Sequence, residues 1–311
     1  MSDDERLAAF PRHLYGLLVG LTLGWGVNWS VMKVVLTEMG PMHFRTLCLL
    51  FGAVGLFAMA SASGLKIRVP EGQWPRLITI ALFNVCGWNI FVVYGIPLLA
   101  SGRAAIMGYT MPVWGALFSA LLLREHLTPR RALGIALGMV GMFLLLGGEI
   151  QAVGRSPLGA LLVIAGAMSW ALGTVIMKRG PVDLPPSALT AWQMVISVVP
   201  ILGAALGIEL GTFNPFALTF WPMFGIFYNI LIAFIFCYWA WTRIALVAPM
   251  NVASLATMMI PVVGVFSGVL FLGEVLRWND YAALIMVVAA LSTVLIPPRQ
   301  NRSQTAGSRK Q

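Results

Sequence analysis

"GWGVNWSVMK", residues 24–33, lies within an apolar stretch, and "SWALGTVIMK", residues 169–178, repeats much of it 145 positions later. Tryptophan, methionine and lysine occupy the same places in both segments. The matched pairs at this offset are Trp25 with Trp170, Met32 with Met177 and Lys33 with Lys178. A sequence motif repeated at this distance indicates that the chain contains two copies of one hydrophobic unit.

A second set of matches lies toward the end of each copy, at an offset of 149. It pairs Pro112, Gly115 and Glu125 with Pro261, Gly264 and Glu274. We therefore predict two repeats, with a first domain over 1–147, a second over 148–296 and a disordered tail over 297–311.

The composition excludes a water-soluble domain. Of the 311 residues, 59% are hydrophobic and only 10% are charged, whereas soluble domains carry about a quarter charged residues. The three cysteines lie in apolar runs and are expected to act as small hydrophobic residues, not as a metal site or a disulfide framework. The apolar run after the charged lead has no cleavage site at the proper distance, so a retained first span is expected rather than a signal peptide.

Apolar runs of about 20 residues are needed to cross the hydrocarbon core as helices. The sequence predicts ten such spans and thus an all-α integral membrane protein. Five spans per copy is an odd number, so the second copy must be inverted relative to the first, an arrangement that favours a transporter with a site at the repeat interface. The predicted spans are 14–36, 41–61, 75–95, 103–123, 129–147, 157–178, 187–207, 219–242, 248–271 and 279–296.

The formal charge of +9 is explained by orientation in the membrane, so nucleic acid is not expected as a partner. With both termini in the cytoplasm, 15 of the 20 Lys and Arg residues fall on the inner side and five on the outer side, as the positive-inside rule requires. The outer five are Lys33, Arg45, Arg103, Arg155 and Arg277. A multi-pass protein of the cell (inner) membrane is expected, in contact with lipid.

The segments 111–146 and 260–296 resemble the C-terminal signature of the EamA repeat, a proline followed by small residues, a loop glutamate and a Gly-rich last helix. The first-helix segment 24–33 is similar to that repeat's opening, although the second copy has Gly173 and Thr174 where the first has Asn28 and Trp29. The resemblance covers nearly the whole chain. It implies the drug/metabolite transporter (DMT) superfamily, ten helices around a central cavity and the export of amino acids or other metabolites. In overall character the chain resembles the bacterial aromatic amino acid exporters of this group.

Helical spacing places aromatic and polar side chains on common stripes within several spans. Symmetric tryptophans beside asparagines favour an aromatic cavity for an amino acid with an apolar or aromatic side chain. Each asparagine has an alternative role in an interhelical hydrogen bond, each tryptophan one in packing, and most methionines one as span filling. The predicted substrate-binding residues are Trp25, Asn28, Asn84, Trp88, Met111, Trp114, Trp170, Asn251 and Ser254.

Pro112 and Pro261 are predicted inside the fourth and ninth spans, where each frees a carbonyl group. A gating hinge is expected, with a static bend as the alternative. No acidic residue lies in the middle of a predicted span, so facilitative export is favoured over a proton-coupled antiporter. Glu125 and Glu274 are expected to pair with Arg130 or Arg277, Lys33 to reach the interface, and His43 to face the surface.

Two other functions remain open from the residues. One is export of another small metabolite or a lipophilic cation, although the sequence offers neither a basic residue nor a carboxylate in the middle of a span. The other is a membrane enzyme, which the scattered histidines and the absence of a catalytic grouping make the weakest reading. No cofactor or metal is expected. Small-residue stripes are compatible with both a monomer and a homodimer.

Overall fold

The computed structural model describes residues 12–124, 128–153, 157–209, 217–247 and 250–295. Throughout these ranges the regular structure is helical. Ten helical segments follow one another, and each coincides within a few residues with a predicted span. They are α1 Arg12–Val35, α2 Pro41–Ala62, α3 Trp74–Leu98, α4 Ser101–Leu123, α5 Pro129–Val153, α6 Leu158–Arg179, α7 Pro186–Ile208, α8 220–247, α9 Met250–Leu272 and α10 Trp278–Leu295.

Length and hydropathy fit the membrane. In the part of the chain that the structure describes, seven helices are long and apolar enough to cross a bilayer, namely α1–α4 and α6–α8. Shorter apolar stretches lie in α5 (Ala132–Leu145) and α9 (Met258–Leu272). These helices confirm the prediction of an all-α membrane protein. Lipid offers no hydrogen-bond partners to the backbone, so an apolar span must satisfy its N–H and C=O groups within its own helix.

Contacts between helix ends show that the two repeats run in opposite directions. Lys33, at the end of α1, contacts Leu99 and Glu274, so α1, α3 and α9 end on one side of the molecule, called here the Lys33 face. Lys66 contacts Asp183, so α2 and α6 end on the opposite side, the Lys66 face. The first helix of each repeat therefore ends on a different face, as inverted repeats require.

Helix packing follows the same two-fold relation. α2 packs against α7 and α5 against α10, so each of these pairs joins equivalent helices of the two repeats. α1 packs against α8 and α9 of the second repeat, and α6 packs in the same way against α3 and α4 of the first. The central interface is thus built from α1, α3 and α4 together with α6, α8 and α9.

Two equivalent helices contain a π-helical segment that the sequence did not predict. In α3 it covers Leu82–Gly87, and in α8 it covers Asn229–Phe236. A π turn shifts the backbone hydrogen bonds by one residue and is common at functional positions. In both repeats it lies in the part of the helix that faces the first helix of the other repeat.

The matched prolines occupy different local structures. α4 is interrupted at Tyr109–Thr110, and Pro112 is the second residue of its second half, Met111–Leu123. A proline there removes no hydrogen bond that the helix would otherwise form. Pro261 instead lies inside the continuous helix α9. The expectation that both prolines sit within unbroken spans is therefore wrong for Pro112.

Candidate functional site

A row of four aromatic rings crosses the interface between the repeats. The row consists of Tyr109, Trp29, Trp88 and Trp170, from α4, α1, α3 and α6. Neighbouring ring centroids lie 6.2 Å, 6.2 Å and 5.7 Å apart, each pair edge to face. Edge-to-face packing is favourable for aromatic rings at such distances. Trp29 is buried, whereas Trp88 and Trp170 are half-buried, so part of each indole remains accessible.

Gly108 makes room for this row. Gly108 is the last residue of the first half of α4, and a Cβ at this position would overlap the indole of Trp29 and crowd that of Trp88. Glycine therefore allows the α4 backbone to approach both rings. The row is held between helices of both repeats rather than within one helix pair.

Trp25 forms a second aromatic contact on the α8 side of the interface. Its Nε1 donates to the carbonyl oxygen of Ala233 at 3.0 Å, within the π segment of α8. Its ring meets Tyr238 edge to face at 5.4 Å. Since Trp25 is half-buried, the indole is anchored at its nitrogen and open on part of its ring. The π segment thus supplies the carbonyl that orients a predicted site residue.

Asn84 occupies the equivalent π segment in α3 and joins that helix to α6. Its Nδ2 donates to the Trp170 carbonyl oxygen and to Thr174 Oγ1, both at 3.0 Å. Gly173 lies directly against the Asn84 backbone, which permits this close approach. These contacts favour the interhelical role for Asn84. Each matched tryptophan therefore contacts a π segment of the other repeat, Trp25 through its indole nitrogen and Trp170 through its backbone carbonyl.

Asn28 differs from Asn84 because its carbonyl oxygen has no partner. The residue is only 9% exposed, and its Oδ1 is buried without a hydrogen bond among the described residues. An unsatisfied buried acceptor costs about 1–3 kcal/mol. Asn28 lies one turn along α1 from Trp25, so a ligand donor placed beside that indole could satisfy it.

The remaining predicted residues lie around this centre or outside it. Met111, at the start of the second half of α4, is half-buried against the core. Trp114 is buried beside Phe118, with its Nε1 unpartnered in the described structure. The side chains of Asn251 and Ser254 fall outside the described residues. The structure therefore brings Trp25, Asn28, Asn84, Trp88 and Trp170 to one interface and leaves Met111 and Trp114 further along α4.

The predicted site did not include Tyr109, Tyr238 or Arg45. It also omitted Trp29, although helical spacing places that residue on one stripe with Trp25 and Asn28. Arg45 was counted among the outer loop charges, but it is 2% exposed and its guanidinium lies 5.0 Å from the ring centroid of Phe44 and 5.9 Å from that of Phe234. Arg45 therefore lies in the protein interior, near the start of α2, and not among the loop charges of the outer side. The signal was available, because Arg45 lies inside the predicted span 41–61 and not in a loop.

Glu274 closes the Lys33 face next to this site. Its carboxylate accepts hydrogen bonds from the backbone nitrogens of Ser101 (2.6 Å) and Gly102 (3.1 Å), and from Lys33 Nζ (3.0 Å). Burial raises the pKa of the Glu274 carboxyl, but these backbone and lysine bonds outweigh it and lower the pKa below its ordinary value. Glu274 is therefore bound by Lys33 and by the backbone nitrogens at the start of α4, whereas pairing with Arg277 was expected.

Two further carboxylates join the repeats on the same face. Glu209, at the end of α7, accepts from the backbone nitrogens of Met42 (2.9 Å) and His43 (3.1 Å) at the start of α2 and lies 2.9 Å from His43 Nδ1. His43 is therefore engaged with Glu209, and the expectation of a surface-facing histidine is wrong. Glu38 accepts from the Thr219 backbone nitrogen and hydroxyl at the start of α8, and both bonds lower the pKa of its carboxyl.

Buried charge on this face is also paired between helices. Arg103 in α4 contacts both carboxylate oxygens of Asp280 in α10, at 2.6 Å and 3.1 Å. Across the described ranges, no group of three or more His, Cys, Asp and Glu side chains is placed to hold a metal ion.

A family model matches the chain twice. The model of the EamA-like transporter family covers residues 13–147 and 157–296. Among curated proteins, the uncharacterized transporter YoaV of Bacillus subtilis is 26% identical over 88% of this chain and 94% of its own length. A probable amino-acid metabolite efflux pump of Salmonella typhimurium is 25% identical over 86% of this chain and 89% of its own. One solved crystal structure superposes with a TM-score of 0.63 at 18% identity, over 94% of this chain and 98% of that one, a likeness of fold.

Proposed function

Because the chain belongs to the EamA-like transporter family, which matches it over both halves, we propose that it exports amino acids with aromatic or large apolar side chains by alternating access. The observation that carries the substrate class is the set of accessible indoles at the repeat interface. Trp25, Trp88 and Trp170 are half-buried although their neighbours are closely packed. Aromatic walls of this kind bind apolar side chains and stack on rings.

The unpartnered Asn28 oxygen supports an amino acid over a purely apolar solute. It is an acceptor with no protein donor, one turn from Trp25. A substrate ammonium group would supply the donor, and it could also lie over an indole face, worth about 0.5–2 kcal/mol. The low-identity relatives named as probable amino-acid metabolite efflux pumps support the same substrate class.

The orientation of the protein in the membrane is proposed from the distribution of its basic residues. Lys66, Arg68 and Arg76 lie on the Lys66 face, which we place in the cytoplasm together with both termini. The Lys33 face is then the outer one, and the protein is a multi-pass component of the inner membrane. The acidic residues of the described helices lie near helix ends, which supports facilitative transport.

The break in α4 supports a hinge at Pro112. The first half of α4 packs mainly on α9, whereas its second half packs on α6. The two halves are therefore held by different helices, and the interruption at Tyr109–Thr110 is where they can rotate. Pro261 in the continuous helix α9 is proposed as the opposing, stiffer element.

Flux measurements in proteoliposomes test the substrate class. Labelled phenylalanine, tryptophan and leucine are compared with a nucleotide and a lipophilic cation. We expect the amino acids to be carried, and Trp25→Ala and Trp170→Ala each to reduce their flux roughly 5–30-fold through lost ring contact. Trp278→Ala is the matched control, since Trp278 is 75% exposed at the start of α10. Equal flux in all four proteins would remove the aromatic site, and flux of only the cation or the nucleotide would assign another substrate.

A further inference from the structure

Arg45 is a buried cation at the repeat interface without an anion. It lies in the second turn of α2, and its Nη2 is 2.7 Å from Met32 Sδ in α1. Its other close neighbours are the Phe44 and Phe234 rings, and its Nε is buried without a hydrogen bond. Among the described residues, no carboxylate lies within ion-pair distance of the guanidinium.

The carboxylate that binds the start of α2 already has other partners. Glu209 binds the backbone nitrogens of Met42 and His43 and the His43 ring, three and two positions before Arg45. Arginine remains protonated in proteins, so the charge cannot be removed by deprotonation. The Arg45 side chain is only 2% exposed, so water and lipid headgroups do not solvate its charge. Cation–π contacts offset only part of the cost of burying a charge.

Charged groups held inside a membrane protein commonly mark substrate pathways. Arg45 meets this description because a chain of ring contacts leads from it to the aromatic site. The Phe234 ring lies 6.0 Å from Tyr238, and Tyr238 lies 5.4 Å from Trp25. The guanidinium is therefore connected through two rings, Phe234 and Tyr238, to the predicted substrate-binding residue Trp25.

The unpartnered atoms of Arg45 and Asn28 are complementary to one small molecule. Arg45 contacts Met32, which lies one helical turn from Asn28 along α1, about 6 Å. One site offers a donor, Arg45 Nε, and the other an acceptor, Asn28 Oδ1. An α-amino acid carries a carboxylate and an ammonium group on one carbon and can reach both.

We propose that Arg45 binds the carboxylate of the transported amino acid while Asn28 accepts a hydrogen bond from its ammonium group. This deepens the proposed function and rests on it. The planar guanidinium fork holds a carboxylate through two parallel hydrogen bonds, and the substrate side chain then points along the Trp25–Tyr238 rings. The cation is balanced only when substrate is present, so loading of the site also removes the cost of the buried charge.

Competition against labelled phenylalanine uptake tests this in the wild-type protein. Phenylalaninamide lacks the carboxylate, and 3-phenylpropionate lacks the ammonium group. We expect phenylalaninamide to compete at least roughly tenfold more weakly than phenylalanine, because it cannot use the guanidinium. Equal competition by phenylalanine and phenylalaninamide would overturn the proposal while leaving amino-acid transport intact. A wild-type protein that carries no amino acid would instead refute the proposed function.

Arg45→Gln should abolish the preference for phenylalanine over its amide, and Arg45→Lys, which keeps the charge without the fork, should retain part of it. Arg68→Gln removes the same charge from an exposed loop and should keep the wild-type preference. Folding of each variant is checked by a monodisperse gel-filtration peak in detergent. An Arg45→Gln protein that still discriminates against the amide would contradict the proposal.

An inorganic anion is the alternative occupant of this site. Replacing chloride by gluconate on both sides of the membrane separates the two cases. We expect phenylalanine uptake and the discrimination against its amide to persist in gluconate. Uptake that requires chloride for phenylalanine and its amide alike would assign Arg45 to chloride and overturn the carboxylate role.

Discussion

Asn28 and Asn84 have the same side chain, and the structure gives them different surroundings. Asn84 completes two hydrogen bonds to α6, at Trp170 and Thr174, whereas the oxygen of Asn28 is buried and unpartnered. An interhelical hydrogen bond in a membrane protein contributes about 0.6–2 kcal/mol. An orphaned polar atom costs stability and is retained where a ligand uses it. Asn84 therefore stabilises the helix packing, whereas Asn28 is assigned to ligand binding.

Substitution of each asparagine by leucine should have opposite effects. Asn84→Leu breaks the α3–α6 contact and should lower the thermal unfolding temperature in detergent. Asn28→Leu removes an unsatisfied acceptor and should leave that temperature unchanged or raise it, while amino-acid flux falls roughly tenfold from the lost ligand contact. Thermal unfolding and flux are measured on both proteins. Loss of stability in Asn28→Leu with normal flux would contradict this assignment.

Helices were predictable from the sequence because hydropathy and length decide them in lipid. The π segments of α3 and α8 were not, because neither contains a proline and no local pattern distinguishes a π turn from an α turn. Pro112 was predicted inside a helix, yet the chain breaks before it at Tyr109–Thr110. The residues around Trp25 were predictable from helical spacing. The burial of Arg45 was not predicted, because its charge was used only to assign the outer side of the membrane.

Glu274 joins elements that must separate if the Lys33 face opens. The carboxylate, from the α9–α10 connection, caps the first half of α4 and binds Lys33 at the end of α1. Ser30, Ser101 and Ser267 continue this contact into the helices through hydroxyl pairs at 3.3 Å and 2.8 Å. Helix N-termini bind carboxylates well because their first backbone N–H groups are free.

Glu274→Gln should weaken this closure and favour opening of the Lys33 face. A cysteine introduced at Thr110, which is buried at the α4 break, should react with an impermeant maleimide roughly tenfold faster in the Glu274→Gln protein. The buried native cysteines provide the background rate in the protein without the introduced cysteine. Glu71→Gln, in the exposed α2–α3 connection, is the matched control. Unchanged labelling would show that Glu274 does not hold the face closed.

The same contact predicts a pH dependence. The pKa of Glu274 is lowered in the folded protein, so its stabilising contribution is fully present above the ordinary carboxyl pKa of about 4.5 and is lost as pH falls through the lowered value. The difference in unfolding temperature between wild type and Glu274→Gln should therefore be constant from about pH 8 to pH 5 and shrink below that. A difference that disappears already near pH 6 would contradict the assignment.

At the scale of the whole molecule, the two-fold relation places different chemistry on the two faces. On the Lys33 face, Glu38, Glu209 and Glu274 each cap a helix of the other repeat. On the Lys66 face, the described inter-repeat contacts include exposed pairs such as Lys66 with Asp183, at 3.4 Å, which contribute little in water. The charged contacts between the repeats are therefore stronger on the Lys33 face, and the first opening is expected on the Lys66 face, toward the cytoplasm in the proposed orientation.

The positions of the carboxylates in the whole molecule predict transport without proton coupling. The carboxylates Glu38, Glu209, Glu274 and Asp280 are all bound at helix ends on the Lys33 face, where they hold backbone nitrogens and basic side chains. None of these contacts involves Arg45, Asn28 or the aromatic row, so protonation there has no direct route to the bound substrate. Proteoliposomes with an amino-acid gradient and no pH gradient should show full flux, and an imposed pH gradient alone should drive no accumulation. The His43–Glu209 pair is the group to substitute if accumulation follows the pH gradient instead, since that result would establish a proton-coupled antiporter.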